Sequence, residues 1–326
     1  MIPREILKKI RQIEIRTNRI VTGILFGMLL LCSCATRYNS TAIVPASDWP
    51  ADARINKDAG RGGVLFVTLR LENGKALPFI VDTGSPVTFF DKSLESRLGK
   101  RLGADSAWVW GVRQEASVYA APKLYSEKVP LKTGSIVVAC DFKKLSSAAG
   151  RRVMGVLGMD CLKHYCIQLD FAAGKMRFLD SSQAEAAKPG KAFPLALSNL
   201  GQTKSNAFRP YIHHRSLLGG PVTNLMIDTG LNIDGGLEPG LLREQTMNLK
   251  GNEAGKVDEE TWCFRECVWE GETYTNIVVR EAKSVVAGPE ANVLGLRFLA
   301  RHLVTFDFPN RTLYLERTRS GALSSN

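Results

Sequence analysis

Two aspartates stand in the same short motif in the two halves of the chain. Asp82-Thr83-Gly84 follows the apolar run Phe79-Ile80-Val81, and Asp228-Thr229-Gly230 follows Leu225-Met226-Ile227. Two carboxyl groups in contact cannot both ionise cheaply, so they share one proton, and one acts as a base while the other acts as an acid. Such a pair can drive the attack of water on an amide carbonyl without a metal ion. This chemistry requires a fold that brings Asp82 and Asp228 together.

The two motifs belong to an internal repeat. A shift of 146 residues superposes them and the apolar runs before them, and a shift of 137 superposes Val156-Leu157-Gly158-Met159 on Val293-Leu294-Gly295-Leu296. The nine-residue difference predicts a deletion in the middle of the second half. A repeat of about 140 residues is too long for the unit of a solenoid, so we interpret the halves as two copies of one lobe.

The elements that carry the motifs have the patterns of strands rather than of long helices. Residues 64–71 are rich in β-branched and apolar side chains, and residues 77–81 form a returning strand. Asn73-Gly74 between them is a strong signal for a two-residue hairpin turn. Residues 167–171 and 304–308, related by the second shift, predict matching strands near the end of each half.

These motifs resemble those of the aspartic peptidases of the pepsin and retropepsin-like superfamily. The resemblance covers residues 62–180 and 206–316 and includes an apolar-apolar-Gly strand in each half. It implies a mostly β fold of two homologous aspartic-peptidase-like β-barrel lobes that face each other across a cleft. It also implies an aspartic-type endopeptidase that acts on a peptide or protein substrate, with Asp82 and Asp228 catalytic. No cofactor and no metal are implied, and a monomer is sufficient for the active site.

The resemblance also assigns supporting roles to the neighbours of the aspartates. The hydroxyls of Thr83 and Thr229 are expected to bond across to the backbone of the opposite loop. Gly84 and Gly230 have no Cβ, so the two loops can approach each other closely. Ser85 is expected to donate a hydrogen bond to the outer oxygen of Asp82.

The second loop departs from the family pattern at Leu231, where pepsin-like enzymes carry Ser or Thr and retroviral enzymes carry Ala. A hydrogen bond to a charged carboxylate lowers its pKa. We therefore expect Ser85 to favour Asp82 as the ionised partner, with Asp228 holding the shared proton. The bulk of Leu231 also motivates an alternative function, a catalytically inactive module that binds extended peptides or envelope polymers.

The flaps that would cover a substrate have weaker signals. Trp108-Val109-Trp110-Gly111 is the candidate in the first half, and its counterpart is expected near Trp262. The alternative is that these tryptophans are simply core residues.

The N-terminus has the pattern of a lipoprotein signal peptide. Six basic residues in the first 19 precede an apolar run of 12 residues, at positions 20–31, which is shorter than the roughly 20 that span a membrane. Leu31-Cys32-Ser33-Cys34 resembles a bacterial lipobox, which implies lipidation of Cys34; a noncleaved N-terminal anchor is the alternative. We expect a cell-envelope lipoprotein with a lipid anchor, on the periplasmic or extracellular side, with the outer membrane as one location.

The sequence thus divides into six segments. They are the signal peptide 1–33, a tether 34–60, the N-terminal lobe 61–185, a linker 186–205, the C-terminal lobe 206–318 and a tail 319–326.

Composition narrows the other functions. With 44% apolar and 23% charged residues, the 326-residue chain has the composition of a globular protein. Residues 1–33 carry +4 of its net charge of +11, and the remaining +7 is spread without a basic block interleaved with aromatics, so nucleic acid is not an expected partner. The four histidines lack zinc-site spacing. Cys161 and Cys166 align with Phe298 and Leu303 and are expected in apolar core positions. The sequence does not decide whether Cys263 and Cys267 form a disulfide.

Overall fold

The computed structural model describes residues 52–72, 74–109, 112–179, 183, 190–199, 208–215, 223–248, 254–282 and 292–318. The predicted signal peptide, Cys34, residues 35–51 and the tail 319–326 lie outside the described residues. Within those ranges, no helix is long and apolar enough to cross a membrane.

The first half is built from short strands and three short helical turns. Its strands are β1 (Ala53–Arg54), β2 (Phe66–Leu71), β3 (Ala76–Val81), β4 (Phe89–Asp91), β5 (Arg101–Val109), β6 (Val112–Ala120), β7 (Leu124–Ser126), β8 (Val129–Pro130), β9 (Ile136–Cys140), β10 (Gly155–Leu157), β11 (Cys166–Asp170) and β12 (Lys175–Leu179). Its helices are a 3₁₀ helix (Lys92–Arg97), α1 (Lys143–Ala148) and α2 (Met159–Leu162).

The second half repeats this pattern. Its strands are β13 (Lys191–Asn199), β14 (Phe208–Arg215), β15 (Thr223–Asp228), β16 (Gly235–Leu237), β17 (Ala254–Lys256), β18 (Thr261–Trp269), β19 (Glu272–Glu281), β20 (Val293–Gly295), β21 (His302–Asp307) and β22 (Thr312–Arg317). Its helices are α3 (Pro239–Asn248) and α4 (Leu296–Leu299). The predicted mostly β fold is confirmed.

Equivalent strands of the two halves occur in the same spatial order. The strands follow the order β2-β3-β10-β4-β9-β6-β5 in one sheet and β14-β15-β20-β16-β19-β18-β17 in the other. The interpretation of the halves as two copies of one lobe is therefore confirmed. One difference lies in the connection between the last hairpin strands, because β7 and β8 occupy it in the first lobe, whereas β18 turns directly into β19 in the second.

A parallel pairing places an apolar-apolar-Gly strand beside each Asp-Thr-Gly motif. Strand β10 runs parallel to β3, and β20 runs parallel to β15 in the same manner. A Cβ on Gly158 would lie 2.4 Å from the carbonyl oxygen of Val87, and one on Gly295 would lie 2.2 Å from that of Ile233. Both glycines are required because the loops after the aspartates pass directly over these positions.

The two lobes are joined by a shared sheet with the order β1-β12-β11-β21-β22-β13. Strands β11 and β21 pair in antiparallel register, with Gln168 opposite Thr305 and their side chains hydrogen-bonded at 3.1 Å. These two residues are related by the 137-residue shift of the repeat. An approximate twofold axis therefore passes between them and relates the two lobes.

The segment predicted as a linker, residues 186–205, contains a strand. Strand β13 pairs first with β22 and then with β14, and its side chains Phe193 and Leu195 are buried. It therefore leads the chain from the shared sheet into the second lobe. The other residues of this segment, apart from Gly190, lie outside the described residues.

The predicted tether ends earlier than residue 60. Strand β1 pairs with β12, and Ile55 and Ala59 are buried. The Asn56 side chain donates to the carbonyl of Val64 and accepts from the amide of Phe66. Residues 53–60 therefore belong to the folded body, and the prediction was wrong there because polar side chains that bind backbone resembled solvated ones.

The two closely spaced pairs of cysteines have different environments in the fold. Cys161 and Cys166 are buried, which confirms the prediction for this pair. Cys263 and Cys267 lie four positions apart on the single strand β18, a span of about 13 Å. A disulfide needs Cα atoms within about 7 Å, so this strand does not allow the bridge.

Candidate active site

The two Asp-Thr-Gly motifs meet at the approximate twofold axis and are locked together by their threonines. The amides of Thr83 and Thr229 each donate to the other's hydroxyl oxygen, both at 3.0 Å. The Thr83 hydroxyl donates to the carbonyl of Ile227 at 2.6 Å, and the Thr229 hydroxyl donates to that of Val81 at 2.8 Å. These four buried hydrogen bonds fix the relative position of the strand ends that carry the aspartates.

This arrangement brings the carboxyl groups of Asp82 and Asp228 into hydrogen-bonding contact. A Cβ on Gly84 would lie 2.6 Å from the Cγ of Asp228, and one on Gly230 would lie 2.6 Å from the Cγ of Asp82. Only glycine fits either position, because each carboxyl group occupies the space next to the opposite loop. The close approach expected of Gly84 and Gly230 is thus present.

Backbone amides orient each carboxylate. One oxygen of Asp82, Oδ1, accepts from the amides of Gly84 at 2.8 Å and Ser85 at 3.0 Å. Oδ1 of Asp228 accepts from the amide of Gly230 at 2.7 Å. Each carboxyl group is thus held by the backbone of the loop that follows it.

Both carboxyl groups hold their protons more tightly than ordinary aspartates. Burial raises the pKa of Asp82 well above its usual value, and the adjacent Asp228 carboxylate raises it further, against the amides of Gly84 and Ser85. Burial also raises the pKa of Asp228, but the Gly230 amide, the bond from Asp82 and the charge of Arg209 oppose the rise. The pair therefore shares a proton over a wide pH range.

Two cavities open on either side of this pair. A cavity of about 520 Å³ lies towards the first lobe, and one of about 600 Å³ lies towards the second. The first is lined by Asp82, Gly84, Ser85, Pro86, Val87, Phe89, Asp105, Ser106, Ala107, Val109, Val118, Ile136, Val138, Phe142, Val156 and Arg209. The second is lined by Gly62, Gly63, Val64, Asp82, Gly84, Ala148, Ala149, Asp228, Gly230, Leu231, Asn232, Ile233 and Arg280. Since both include Asp82 and Gly84, the cavities form one continuous cleft across the aspartates.

The prediction that the Ser85 hydroxyl donates a hydrogen bond to Asp82 was wrong. This hydroxyl donates to the carbonyl of Val87 at 2.8 Å, and only the Ser85 amide reaches Asp82. The predicted preference for an ionised Asp82 therefore loses its physical basis. A charged side chain in the site, Arg209, instead lowers the pKa of Asp228.

Leu231 packs away from the carboxyl pair. It lies against a small buried cluster of Tyr211, Met226 and Val293 and lines the larger cavity at its edge. Its backbone amide contributes a hydrogen bond that favours the charged form of Asp228. The side chain therefore does not occupy the space between the two aspartates.

The flap candidates lie on equivalent hairpins. Val109 stands at the end of β5, and it lines the smaller cavity together with residues 105–107 of the same strand. Trp110, Gly111 and the side chain of Trp108 lie outside the described residues. By sheet order the counterpart of the β5–β6 hairpin is β17–β18. Trp262 is the second residue of β18, and its partly buried side chain packs against the core.

Sequence reasoning missed Arg209 and a buried ion-pair cluster below the second loop. The 146-residue shift aligns Arg209 with Gly63, but the strand registers pair Tyr211 with Met226 and Phe66 with Ile80, which corresponds to a shift of 145 in this strand. A correct register would have placed Arg209 opposite Asp228. The cluster joins Asp234 to Arg297 and Arg301, which no local pattern connects.

The histidines have structural environments. His213 is exposed on β14 and contacts Asn224. His302 is buried beside Tyr274. Among the residues that the structure describes, no group of three or more His, Cys, Asp or Glu side chains could hold a metal ion.

Comparison with known proteins identifies the fold. The chain matches no family model and no curated protein. Among solved structures, it is similar to the aspartic proteinase from Irpex lacteus, with a TM-score of 0.51 and 14% sequence identity over 85% of this chain and 99% of that one. At this identity the similarity establishes the fold class, an aspartic-proteinase-like fold.

Proposed function

We propose that the chain is a membrane-anchored aspartic endopeptidase. The single observation that carries this function is the contact between the carboxyl groups of Asp82 and Asp228 at the centre of the cleft. The duplicated threonine bonds and the two glycines support it, because they hold the carboxyls in a geometry that a turn at the end of a strand would not need.

In the proposed reaction, the carboxyl pair carries one proton and one negative charge. The ionised carboxylate removes a proton from a water molecule, whose oxygen attacks the peptide carbonyl carbon, while the protonated carboxyl donates its proton to the carbonyl oxygen. The intermediate is an uncharged gem-diol. The carboxyl group that took up the water proton then donates it to the amide nitrogen, while the other carboxylate removes a hydroxyl proton from the gem-diol, so that the C–N bond breaks and the pair returns to one proton and one charge.

The cleft has the form that an extended peptide needs. Its cavities extend on both sides of the carboxyl pair, so that the chain on each side of the scissile bond has a place to bind. Extended peptides bind such clefts by adding strand-like hydrogen bonds, with side chains in alternating pockets. The mainly apolar lining of the smaller cavity, which includes Phe89, Ile136 and Phe142, favours an apolar side chain there.

We further propose attachment to the membrane through a lipid on Cys34. The lipobox-like sequence before it supports this location on the periplasmic or extracellular side. We also propose that the chain has no nucleic acid as partner and that one chain is sufficient for activity, because it carries both aspartates. Metabolic labelling with a fatty acid should mark the wild-type chain, and a Cys34→Ser variant should stay unlabelled. Labelling of that variant would contradict the lipoprotein proposal without affecting the proposed activity.

The activity is tested by cleavage of a random peptide library across pH 3–8. We expect the wild type to cleave, and Asp82→Asn and Asp228→Asn each to lose at least about 10³-fold in kcat/KM, because neither single carboxyl can supply both proton transfers. Asp52→Asn, which changes an exposed carboxyl just before the edge strand β1 of the shared sheet, is the matched control. Binding of peptides without cleavage by the wild type would instead support the inactive binding module.

A further inference from the structure

The strand register places a cation next to one of the two aspartates and a neutral side chain next to the other. The pairing of β14 with β15 ends at Tyr211 and Met226, and two residues beyond this pair the same register brings Arg209 level with Asp228. The pairing of β2 with β3 ends at Phe66 and Ile80, and the same continuation brings Val64 level with Asp82. Residues at equivalent positions of an antiparallel pair project from the same face of the sheet. The residues next to the two aspartates therefore occupy equivalent positions on their strands, but one side chain is neutral and the other is positively charged.

Arg209 also crosses from the second lobe to the first. Its Nε donates to the carbonyl oxygen of Gly84 at 2.7 Å, and its half-buried side chain lines the smaller cavity beside Asp82. The bond to Gly84 fixes the guanidinium at the rim of the carboxyl pair. A neighbouring positive charge stabilises the ionised form of a carboxyl group, and the charge of Arg209 lowers the pKa of Asp228.

On the basis of the proposed function, we propose that Arg209 is a positioning residue that makes the two carboxyl groups inequivalent. It holds Asp228 as the ionised partner and leaves the shared proton on Asp82. In the proposed reaction, Asp228 would then accept the proton of the attacking water, and Asp82 would donate to the carbonyl oxygen of the substrate.

The other charged side chains of the cleft do not account for this asymmetry. Among the described residues that line the two cavities, they are Asp105 on the β5–β6 hairpin and Arg280 on β19. Arg280 is exposed and lies beside the hydroxyl of Thr261, and Asp105 is exposed at the other end of the cleft. Neither is among the main influences on the pKa of Asp82 or Asp228, whereas Arg209 is one for Asp228.

The first experiment measures the pH dependence of kcat/KM for the full chain and three variants. Arg209→Met removes the charge, so we expect the acid limb to move up by roughly 0.5–1 pH unit, because Asp228 then ionises less readily. Arg209→Lys keeps the charge and should restore most of the wild-type limb. Arg243→Met, which removes an exposed arginine from helix α3, is the matched control. An Arg209→Met limb that moves no more than the Arg243→Met limb would overturn the proposal.

The second experiment requires neither activity nor a stable Arg209 variant. The wild-type chain is labelled with ¹³C at aspartate carboxyl carbons, and the Asp82→Asn and Asp228→Asn variants assign the two signals. We expect the Asp228 carboxyl to ionise at the lower pH. Ionisation of Asp82 first would overturn the inference, even in a chain that cleaves peptides. A wild type that cleaves nothing, but ionises Asp228 first, would contradict the proposed function and leave the inference standing.

Discussion

The two sides of the carboxyl pair show which parts of a duplicated site stay equivalent and which diverge. The backbone is nearly the same on both sides, with mutual threonine bonds and a glycine under each carboxyl. The surrounding side chains differ at several equivalent positions. Four of these pairs are Val64 and Arg209, Ser85 and Leu231, Thr88 and Asp234, and Asp160 and Arg297. The lobes thus keep the contacts that hold the carboxyls together and change the groups that tune them.

The clearest divergence lies below the two loops. In the first lobe, the Thr88 hydroxyl donates to Asp160 at 2.8 Å and accepts from the Gly158 amide at 3.2 Å. In the second lobe, the fully buried Asp234 stands in place of Thr88 and forms ion pairs with Arg297 and Arg301. The acidic residue thus lies on the short helix in the first lobe, as Asp160, and on the loop after the motif in the second lobe, as Asp234. Each arrangement anchors its loop to the helix that follows the apolar-apolar-Gly strand.

The largest expected effect comes from adding a methyl group next to a carboxyl, because this disturbs the backbone arrangement that the two lobes share. Gly84→Ala and Gly230→Ala should each reduce kcat/KM by at least about 100-fold, since the new Cβ displaces the opposite carboxyl from its reactive position. The matched control is Gly103→Ala, because a Cβ there meets no atom within 4 Å. Activity of either variant close to that of Gly103→Ala would show that the carboxyls need not be in contact.

The next largest effect separates the two loop anchors. Asp234→Asn leaves the buried Arg301 guanidinium without its counter-charge and should lower the free energy of unfolding by about 3–5 kcal/mol. Asp160→Asn removes no ion pair seen in the structure and should cost only about 1 kcal/mol. Urea unfolding at pH 7 measures both. Equal losses would mean that the two anchors are equivalent despite their different chemistry.

Sequence reasoning identified the parts of the molecule that occur twice or follow a local rule. The strands β2 and β3, the apolar-apolar-Gly strands and the cross-bonded threonines each had a partner half a chain away. The missed parts depend on distant contacts. Asp234 and Arg301 are 67 positions apart, and nothing near either residue indicates the other.

The other errors have physical causes of the same kind. Strand β13 alternates buried Phe193 and Leu195, but Pro194 between them argues against a paired strand. Residues 53–60 have a polar composition that hides the backbone bonds of Asn56. Arg209 was missed because a one-residue change of register is invisible to an alignment by constant shift.

The pH dependence of stability tests the pair as a unit. Burial raises the pKa of both carboxyls in the folded state, so the protein gains stability from them below the ordinary value of 3.8 and loses it as the pH rises through the folded values. Each unit of raised pKa corresponds to about 1.4 kcal/mol. The double variant Asp82→Asn/Asp228→Asn should therefore flatten the fall in unfolding free energy between pH 4 and pH 8. A slope equal to that of Asp52→Asn would contradict the burial of the pair.

The smallest expected effect concerns Leu231, where the family pattern and this structure lead to opposite expectations. If the hydroxyl at the equivalent position, Ser85, donated to its aspartate, Leu231→Ser would lower the acid limb of the pH–rate profile. The Ser85 hydroxyl instead donates to the carbonyl of Val87, and Asp82 accepts from the Ser85 backbone amide. The equivalent backbone amide of residue 231, which bonds to Asp228, is retained when the side chain is changed. We therefore expect Leu231→Ser to leave the acid limb in place. The variant should lose about 1 kcal/mol of stability, because a partly buried leucine leaves its contacts with Tyr211 and Met226.

The Leu231→Ser result also sharpens the comparison of the two sides. Ser85→Ala is its matched variant on the first lobe, where only the bond to Val87 would be lost. If both variants keep the wild-type limb while Arg209→Met moves it, the inequivalence of the carboxyls arises from one charge and not from the loop hydroxyl. A limb that falls in Leu231→Ser and rises in Ser85→Ala would return the asymmetry to the hydroxyl, and Asp82 would then be the ionised partner.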